Sequence, residues 1–296
     1  MRNSRRPGVL ADQRLETGKL LLQFSAVLSA GGILLLFLMI ISFALPVFAD
    51  GGTGGPFSWI WQPGSGHFGI LPMLVGSLLL GSLGLMLGWP LAFALACWLL
   101  CPEKPSGQGR GWARSVVDGL VRLMTAIPTV VYGFAAVFLL APVIRQCLGG
   151  TGFSWLTAAL MISLLILPTI VLVLQAGLGT RLEEVVLAGR ALGFSRLELL
   201  WHVVLPEARG PLLASAILGF GRAVGDTMLP LMLAGSAPAV PESLLSSLRT
   251  LTAHMALVTS NEVGGAAYDS LFMAGMLLLL VNAAVSLGIR RIGGRP

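Results

Sequence analysis

An arginine and an aspartate lie within a stretch that is otherwise apolar enough to cross a membrane. Arg222 and Asp226 are four residues apart in the run 211–235. Residues at this spacing share one face of a helix, so the two side chains are expected to meet. A guanidinium can bind an oxyanion in a bidentate contact, and a carboxylate can accept a hydrogen bond from a protonated oxyanion. Because ionisable residues inside a membrane are usually functional, the pair predicts an anion path, with a static ion pair between helices as the alternative.

The segment that precedes this run, residues 179–210, is charged and lies between two apolar stretches. Ser195 followed by Glu198 is a potential capping box, which marks the start of a helix. The apolar residues that follow recur at helical spacing: Leu197, Leu200, Trp201 and Val204. The pattern predicts a short amphipathic helix that ends near Pro206. Such a helix can lie on a lipid surface, but its mixed charges favour docking into a groove on a cytosolic partner.

The composition places the chain in a membrane. Of its 296 residues, 55% are apolar and 11% are charged, and the mean hydropathy is +0.87. Soluble domains are about 45–50% apolar and about 25% charged. The net charge of +6 does not indicate nucleic-acid binding, because the basic residues flank apolar runs and form no basic face with aromatic residues. The sequence therefore predicts an all-α integral membrane protein.

Six apolar stretches are long enough to cross a bilayer, which takes about 20 helical residues. They are predicted at 20–49, 71–100, 116–144, 155–178, 211–235 and 270–289. Pro128 and Pro168 are expected to kink the third and the fourth of these spans. The loop 50–69, which is rich in Gly and Pro and has no Lys or Arg, and the segment 236–269 are expected on the outer side.

The positions of the basic residues predict the orientation of these spans. If both termini are cytoplasmic, all but three of the 19 Lys and Arg residues lie on the cytoplasmic side. The exceptions are Arg145 and Arg249 on the outer side and Arg222 within the membrane. Since cytoplasmic loops are enriched in basic residues, we predict six transmembrane helices with both termini in the cytoplasm.

Residues suited to bond-making chemistry are sparse. No phosphate-binding loop of the G-x-x-x-x-G-K-[ST] type occurs, which excludes ATP hydrolysis by that route. His202 and His254 have no partners at metal-ligand spacing, and three cysteines without paired spacing argue against a disulfide framework or a zinc site. We therefore predict a transport component that has no metal and no cofactor and is not an enzyme.

The charged segment resembles the coupling loop of permeases from ATP-binding-cassette (ABC) importers. The family pattern is G-x9-[IV]-x-L-P, in which the glycine is Gly193, the branched residue is Val203, and the ending is Leu205 followed by Pro206. The glutamate that opens this signature in the family is replaced by Leu187. The resemblance implies the type I ABC-importer permease fold and a helix that a cytosolic ATPase grips.

Two further motifs resemble permeases of phosphate importers. Residues 221–228, G-R-A-V-G-D-T-M, are similar to their G-R-A-x-G-E-T segment, with Asp226 in place of the usual glutamate. Residues 126–133, A-I-P-T-V-V-Y-G, resemble their S-I-P-S-V-V-Y-G segment. The stretches T-L-T-A-H-M-A and N-E-V-G-G-A are similar to the PstC-type half of these transporters rather than the PstA-type half. Together the resemblance covers roughly residues 70–290.

This resemblance implies that the chain is one permease subunit of an ATP-driven importer of inorganic phosphate in a bacterial cytoplasmic membrane. The implied partners are a second, homologous permease in a heterodimer, two cytosolic ATPase subunits and an extracytoplasmic phosphate-binding protein. The predicted substrate path comprises Arg222, Asp226, Thr227, Thr129 and Tyr132, and for the last three packing alone is the alternative. The predicted ATPase-coupling residues are Gly193, Ser195, Arg196, Glu198, Trp201, His202, Leu205 and Pro206.

Two other functions are compatible with the sequence. The same architecture could carry another oxyanion, such as sulfate, molybdate or a phosphonate. A channel or ion-driven carrier that works without ATPases would leave the charged segment without a role. In either case we expect an N-terminal part, residues 1–69, with the first transmembrane helix and an outer loop. The core permease domain is then residues 70–296, with five transmembrane helices and the cytoplasmic coupling loop 179–210.

Overall fold

A computed structural model describes residues 7–49, 57–101, 108–261 and 265–292, and within these ranges the chain is almost entirely helical. Five of the described helices are long and apolar enough to cross a membrane, and a sixth span results if one bent pair of helices is counted as one. The all-α, multi-pass architecture predicted from composition is therefore confirmed. Parts of the predicted loops, residues 50–56, 102–107 and 262–264, lie outside the described residues, as does the tail after residue 292.

The first two spans flank a small β-element. Helix α1, Pro7–Ala49, contains the candidate span Gly18–Leu45, whose side chains are almost all exposed, as expected for a helix that faces lipid. A two-stranded hairpin follows, with β1 at Trp61–Gln62 and β2 at His67–Phe68. Helix α2, Leu71–Leu100, is the second span and begins with a proline in its first turn, where the missing N–H costs nothing.

The third span differs from its prediction. Instead of one helix over 116–144, the chain forms α3, Gln108–Ala126, which is too polar to count as a span, and a separate candidate span, Thr129–Leu148. This span is α4, Thr129–Ala135, then a π-helical turn, and then α5, Ala141–Leu148. Pro128 has extended backbone angles, φ −60° and ψ 141°, because its ring cannot continue the preceding helix. The predicted kink is thus a complete break.

The fourth span, α6, is longer than predicted. It runs over Trp155–Ala191 and keeps its helical course through Pro168. The first part of the predicted coupling loop is therefore helical and belongs to α6. It ends where Gly193 takes a φ of +86°, a left-handed conformation that favours glycine and closes many helices.

The coupling helix Arg196–Glu207 and the fifth span follow as a bent pair with an angle of 79° between them. The coupling helix comprises α7, Arg196–Leu199, a π-helical turn, and α8, Leu205–Glu207. Helix α9, Arg209–Gly225, then enters the bundle and stops before Asp226. A fifth span is present, but the prediction of one continuous helix over 211–235 is wrong, because a non-helical break separates α9 from the short α10, Met228–Leu233.

The last part of the chain packs against the start of α6. Residues 234–250 form a loop whose carbonyl groups accept hydrogen bonds from the first turn of α6: Ser246 from the Trp155 N–H at 3.0 Å and Leu244 from the Leu156 N–H at 2.9 Å. Two helices follow the loop. They are α11, Leu251–Asn261, and the last span, α12, Ala266–Ile292.

Helices α2, α6 and α9 form the centre of the bundle, and glycines let them approach closely. A Cβ atom added at Gly84 of α2 would lie 2.6 Å from Cγ2 of Ile162 in α6. A Cβ atom at Gly219 of α9 would lie 2.7 Å from Cδ1 of Ile170. Such contacts drive helix association in membranes, where lipid removes the hydrophobic driving force. The close packing fixes the faces of α6 and α9 that carry the candidate site.

Candidate translocation path and coupling surface

The arginine of the predicted path pairs with a hydroxyl group. Arg222 lies in the last turn of α9, partly buried, and one terminal nitrogen of its guanidinium donates to Thr169 Oγ1 at 2.7 Å. Thr169 follows Pro168 in α6, so this bond ties α9 to α6 beside a proline. Sequence reasoning missed Thr169, because nothing in the chain indicates that a residue 53 positions away faces Arg222. The Pro168 next to it, which frees a backbone carbonyl, was the available signal.

Asp226 does not meet Arg222 on one helical face. Helix α9 ends at Gly225, and Asp226 is extended, with φ −73° and ψ 133°. One carboxylate oxygen, Oδ2, accepts from the Leu229 N–H at 2.8 Å and so caps α10. The ion pairs between described residues do not include one between Arg222 and Asp226. The predicted i, i+4 contact is therefore wrong, because the backbone leaves the helix between the two residues.

The remaining predicted path residues lie around this break. Thr227 precedes α10, and its carbonyl accepts from the Leu231 N–H at 3.2 Å. Thr129 opens α4, directly after the Pro128 break. The hydroxyl of Tyr132 donates to the Met124 carbonyl at 2.9 Å and bridges α3 and α4. Tyr132 thus stabilises the arrangement of the two helices on either side of the Pro128 break.

The coupling helix begins with the predicted capping box. Ser195 Oγ accepts from the Glu198 N–H at 3.2 Å, and Glu198 Oε2 accepts from the Ser195 N–H at 2.7 Å and from its hydroxyl at 2.8 Å. These bonds to the ionised form lower the pKa of Glu198. The box satisfies N–H groups that would otherwise have no partner at the start of the helix.

Three contacts attach the coupling helix to the bundle. Arg196 forms an ion pair with Glu183 of α6, with 3.0 Å between the nitrogen and the carboxylate oxygen. The thiol of Cys101, at the end of α2, donates to the Arg196 carbonyl at 3.7 Å. Leu199 packs against Gly189, where an added Cβ atom would lie 2.4 Å from Leu199 Cδ2. The start of the coupling helix is therefore held by both α2 and α6.

The opposite side of this region is exposed and apolar. Leu187, the residue in the place of the family's glutamate, is 82% exposed. Leu197 and Trp201 of the coupling helix are each about half exposed. His202 is exposed and its Nδ1 lies 3.0 Å from the Glu198 carbonyl. Leu205 and Pro206 belong to α8, which turns the chain towards α9. The predicted coupling residues thus occupy one end of the bundle, where a partner can reach them.

An apolar helical bundle with a capped amphipathic helix exposed at one end is compatible with the membrane subunit of a transporter. The chain belongs to the family of binding-protein-dependent transport system inner membrane components, whose model matches residues 106–295. The resemblance read from the coupling-loop motif is confirmed by this match.

Named relatives of the chain are also permeases, in agreement with the family match. The chain is 29% identical over 241 residues to the probable ABC transporter permease protein YqgH of Bacillus subtilis (strain 168), covering 79% of this chain and 75% of that protein. It is 27% identical over 263 residues to the phosphate transport system permease protein PstC of Pasteurella multocida (strain Pm70), covering 81% and 79%. These matches confirm the resemblance to PstC-type permeases.

A solved structure supports the fold. The chain superposes on a chain of the inward-facing MetNI methionine ABC transporter with a TM-score of 0.56 and 16% identity, covering 79% of this chain and 98% of the other. The protein is therefore a multi-pass permease subunit of an ABC importer. Membership of this family implies ATPase partners and a second permease.

Proposed function

We propose that this chain translocates inorganic phosphate across the cytoplasmic membrane of a bacterium, as one half of a heterodimeric permease. Its partners are a homologous second permease, two cytosolic ATPase subunits and an extracytoplasmic phosphate-binding protein. Both termini and the coupling helix lie on the cytoplasmic side. The observation that carries the proposal is the guanidinium of Arg222, which lies inside the bundle with Thr169 as its hydrogen-bond partner.

The surroundings of Arg222 suit an oxyanion. A guanidinium has five N–H donors, and the bond to Thr169 uses one of them. In the part of the chain that the structure describes the others have no partner, and they can make a bidentate contact, which a phosphate oxygen pair fits well. A cation inside a membrane is costly, by about 2.5 kcal/mol or more, and a bound anion offsets that cost. Arg222 is thus a binding group for an anion in transit.

Asp226 favours a protonated oxyanion. Its Oδ2 caps α10, and its other oxygen, which has no hydrogen-bond partner among the described residues, can accept a hydrogen bond. Phosphate near neutral pH carries at least one proton and can donate to this oxygen. Sulfate has no proton, so it would meet only the repulsion of the carboxylate. This difference in hydrogen bonding supports phosphate over sulfate and molybdate as the cargo.

Helix α6 connects the coupling helix with the path. Between Ala191, its last residue, and Thr169 it is one continuous helix of about 33 Å. When ATP draws the ATPases together, the coupling helix moves with them, and the ion pair of Arg196 with Glu183 transfers that motion to α6. Thr169 and Arg222 then move as a unit, and the path changes its access from the outer to the inner side.

The proposal is tested by uptake in cells that lack their own copy of this permease. We expect the chain, produced with its partners, to restore uptake of labelled phosphate and not of labelled sulfate. In the variant Gly193→Arg, a long side chain replaces the left-handed glycine, and we expect the ATPase to be lost during purification together with uptake. Sulfate uptake instead of phosphate uptake would contradict the cargo. Phosphate uptake that persists without the ATPase would indicate a channel or carrier.

A further inference from the structure

A second arginine lies on the outer side of the same break and has no acidic partner among the described residues. Arg249 is the second-last residue of the loop 234–250 and is partly buried. Its Nε donates to the Ser236 carbonyl at 2.9 Å, and this is the polar contact that the described part of the chain gives to its guanidinium. Burial lowers the pKa of Arg249, since desolvation is not offset by a neighbouring anion. Its two terminal nitrogens are left for a ligand.

Arg249 is further from the cytoplasm than Arg222. Its carbonyl oxygen lies against Gly76, where an added Cβ atom would be 2.5 Å away, in the second turn of α2 after the outer hairpin. Arg222 instead reaches Thr169, which is about 21 Å along α6 from its outer end at Trp155. The two cations therefore lie at different depths of the bundle.

Asp226 lies between these two depths. It follows Arg222 on the outward course of α9, and its carbonyl accepts from Thr252 Oγ1 at 2.9 Å. Thr252 belongs to the first turn of α11, three residues after Arg249. From the outside, the order is thus Arg249, Asp226 and Arg222. The carboxylate of Asp226 repels an anion that arrives from outside, unless a cation in front of it offsets the charge.

We propose that Arg249 forms an outer binding station for the transported oxyanion, which passes from Arg249 across Asp226 to Arg222. This inference rests on the proposed function. Cationic side chains that line a pore select anions, and transport needs each station to bind weakly enough to release its ligand. Arg249 meets that need because it is only partly buried and is fixed through Nε alone. The N-terminus of α11, which follows directly, adds a partial positive charge at the same place.

The alternative role of Arg249 is to hold the loop in shape. Its bond reaches Ser236, which has a positive φ of 58°, so a mere structural tie is chemically reasonable. The two roles require different atoms of the side chain. The tie uses Nε, whereas the station uses the positive charge and the terminal nitrogens. A variant that keeps the bond to Ser236 but removes the charge, and a variant that does the reverse, therefore distinguish the two roles.

The test compares Arg249→Gln with Arg249→Lys in the complete transporter, reconstituted with its ATPase and binding protein. The amide nitrogen of Gln is attached to Cδ, as Nε is in Arg, so it can keep the bond to Ser236 but has no charge. Lys keeps the charge but has a carbon atom in the place of Nε. Arg145→Gln is the control, since Arg145 is the other arginine predicted on the outer side but is exposed, in the last turn of α5. Co-purified ATPase measures assembly in each case.

We expect Arg249→Gln to assemble and to lower phosphate uptake about tenfold, since a cationic entrance raises capture of an anion by at least that factor. Arg249→Lys and Arg145→Gln should stay within about threefold of the wild type. The deficit of Arg249→Gln should also shrink at high external salt, which screens exposed charge. Normal uptake by Arg249→Gln, or a larger loss in Arg249→Lys than in Arg249→Gln, would overturn the station. If the wild-type complex takes up no phosphate at all, the proposed function fails first, and the inference fails with it.

Discussion

The contact between Gly189 of α6 and Leu199 of the coupling helix fixes how closely the two helices pack, so a substitution there should change the binding of the ATPase. In Gly189→Ala the new Cβ atom would lie 2.4 Å from Cδ2, 2.6 Å from Cδ1 and 3.0 Å from Cγ of Leu199. Non-bonded carbon atoms are optimally about 3.5–4.0 Å apart, so the side chain of Leu199 and the new methyl group must separate by about 1 Å. Leu199 is only 3% exposed and has no solvent to turn into. The coupling helix itself must therefore move away from α6.

The cost of this substitution is that of an overpacked core, about 1–3 kcal/mol. If the same free energy is lost from the binding of the coupling helix to the ATPase, the affinity falls by about fivefold or more. We expect Gly189→Ala to lower the amount of ATPase that co-purifies with the permease by that factor and to lower phosphate uptake in parallel. Gly119→Ala is the matched control, since a Cβ atom there meets nothing within 4 Å.

A second substitution tests the cause. In the double variant Gly189→Ala with Leu199→Ala, the space that the new methyl group needs is available again, so ATPase binding should recover towards the level of Leu199→Ala alone. The effects of two residues in contact are not additive, and here the loss of ATPase binding in the double variant should be smaller than the sum of the losses in the two single variants. Wild-type ATPase binding by Gly189→Ala, or strictly additive losses in the double variant, would refute the seating of the coupling helix through Leu199.

Three other changes have defined outcomes. Ser195→Ala removes the capping box and should destabilise the coupling helix by about 1 kcal/mol, seen as weaker ATPase co-purification that Ser195→Thr restores. Tyr132→Phe loses the bond to the Met124 carbonyl and should lower the free energy of unfolding by about 1 kcal/mol, measured as a lower Tm. Burial and the charge of Arg249 lower the pKa of His254 to about 4, below its ordinary 6.5. The free energy of unfolding that depends on neutral His254 is complete above pH 6.5 and is lost as the pH falls towards 4. Between pH 7.5 and pH 5 this loss is about 2 kcal/mol. The Tm should therefore fall between these two pH values, and it should fall less in His254→Leu.

Much of the architecture could be predicted from local signals. Long apolar runs identify α1, α2 and α12, because a hydrocarbon core imposes a minimum length on its helices. The Ser195–Glu198 capping box is a purely local arrangement, and the structure contains it as predicted. The motif predicts Gly193 as the glycine of the loop, and its left-handed φ of +86° explains why glycine is favoured at that position.

The errors came from breaks in the helices and from tertiary contacts, neither of which helical periodicity reveals. Helix α9 stops at Gly225 because Asp226 caps α10 and its carbonyl binds Thr252, and neither partner is visible from helical spacing. The extension of α6 into the predicted loop is stabilised by its packing against the coupling helix. The Pro128 break was expected only as a kink, because a single proline is compatible with both outcomes.

The orientation of both termini, the division at residue 69 and the roles of the individual path residues stay predictions. They depend on the bilayer and on partner subunits. The sequence of a single chain reflects these surroundings only through the distribution of its charged residues. Arg222 illustrates this dependence. Its sequence neighbourhood indicated an anion path, whereas its actual partner, Thr169, follows from how α6 and α9 pack.

The measurement that tests the central claim most directly is phosphate uptake by the complete transporter with Arg222→Gln, compared with the wild type at matched membrane levels. The wild type should restore uptake in cells that lack their own copy. The variant should still co-purify with its ATPase, because Arg222 lies far from the coupling helix, but it should not transport phosphate. Equal uptake by both would contradict the role of Arg222 as the anion's binding group and would leave it a structural donor to Thr169.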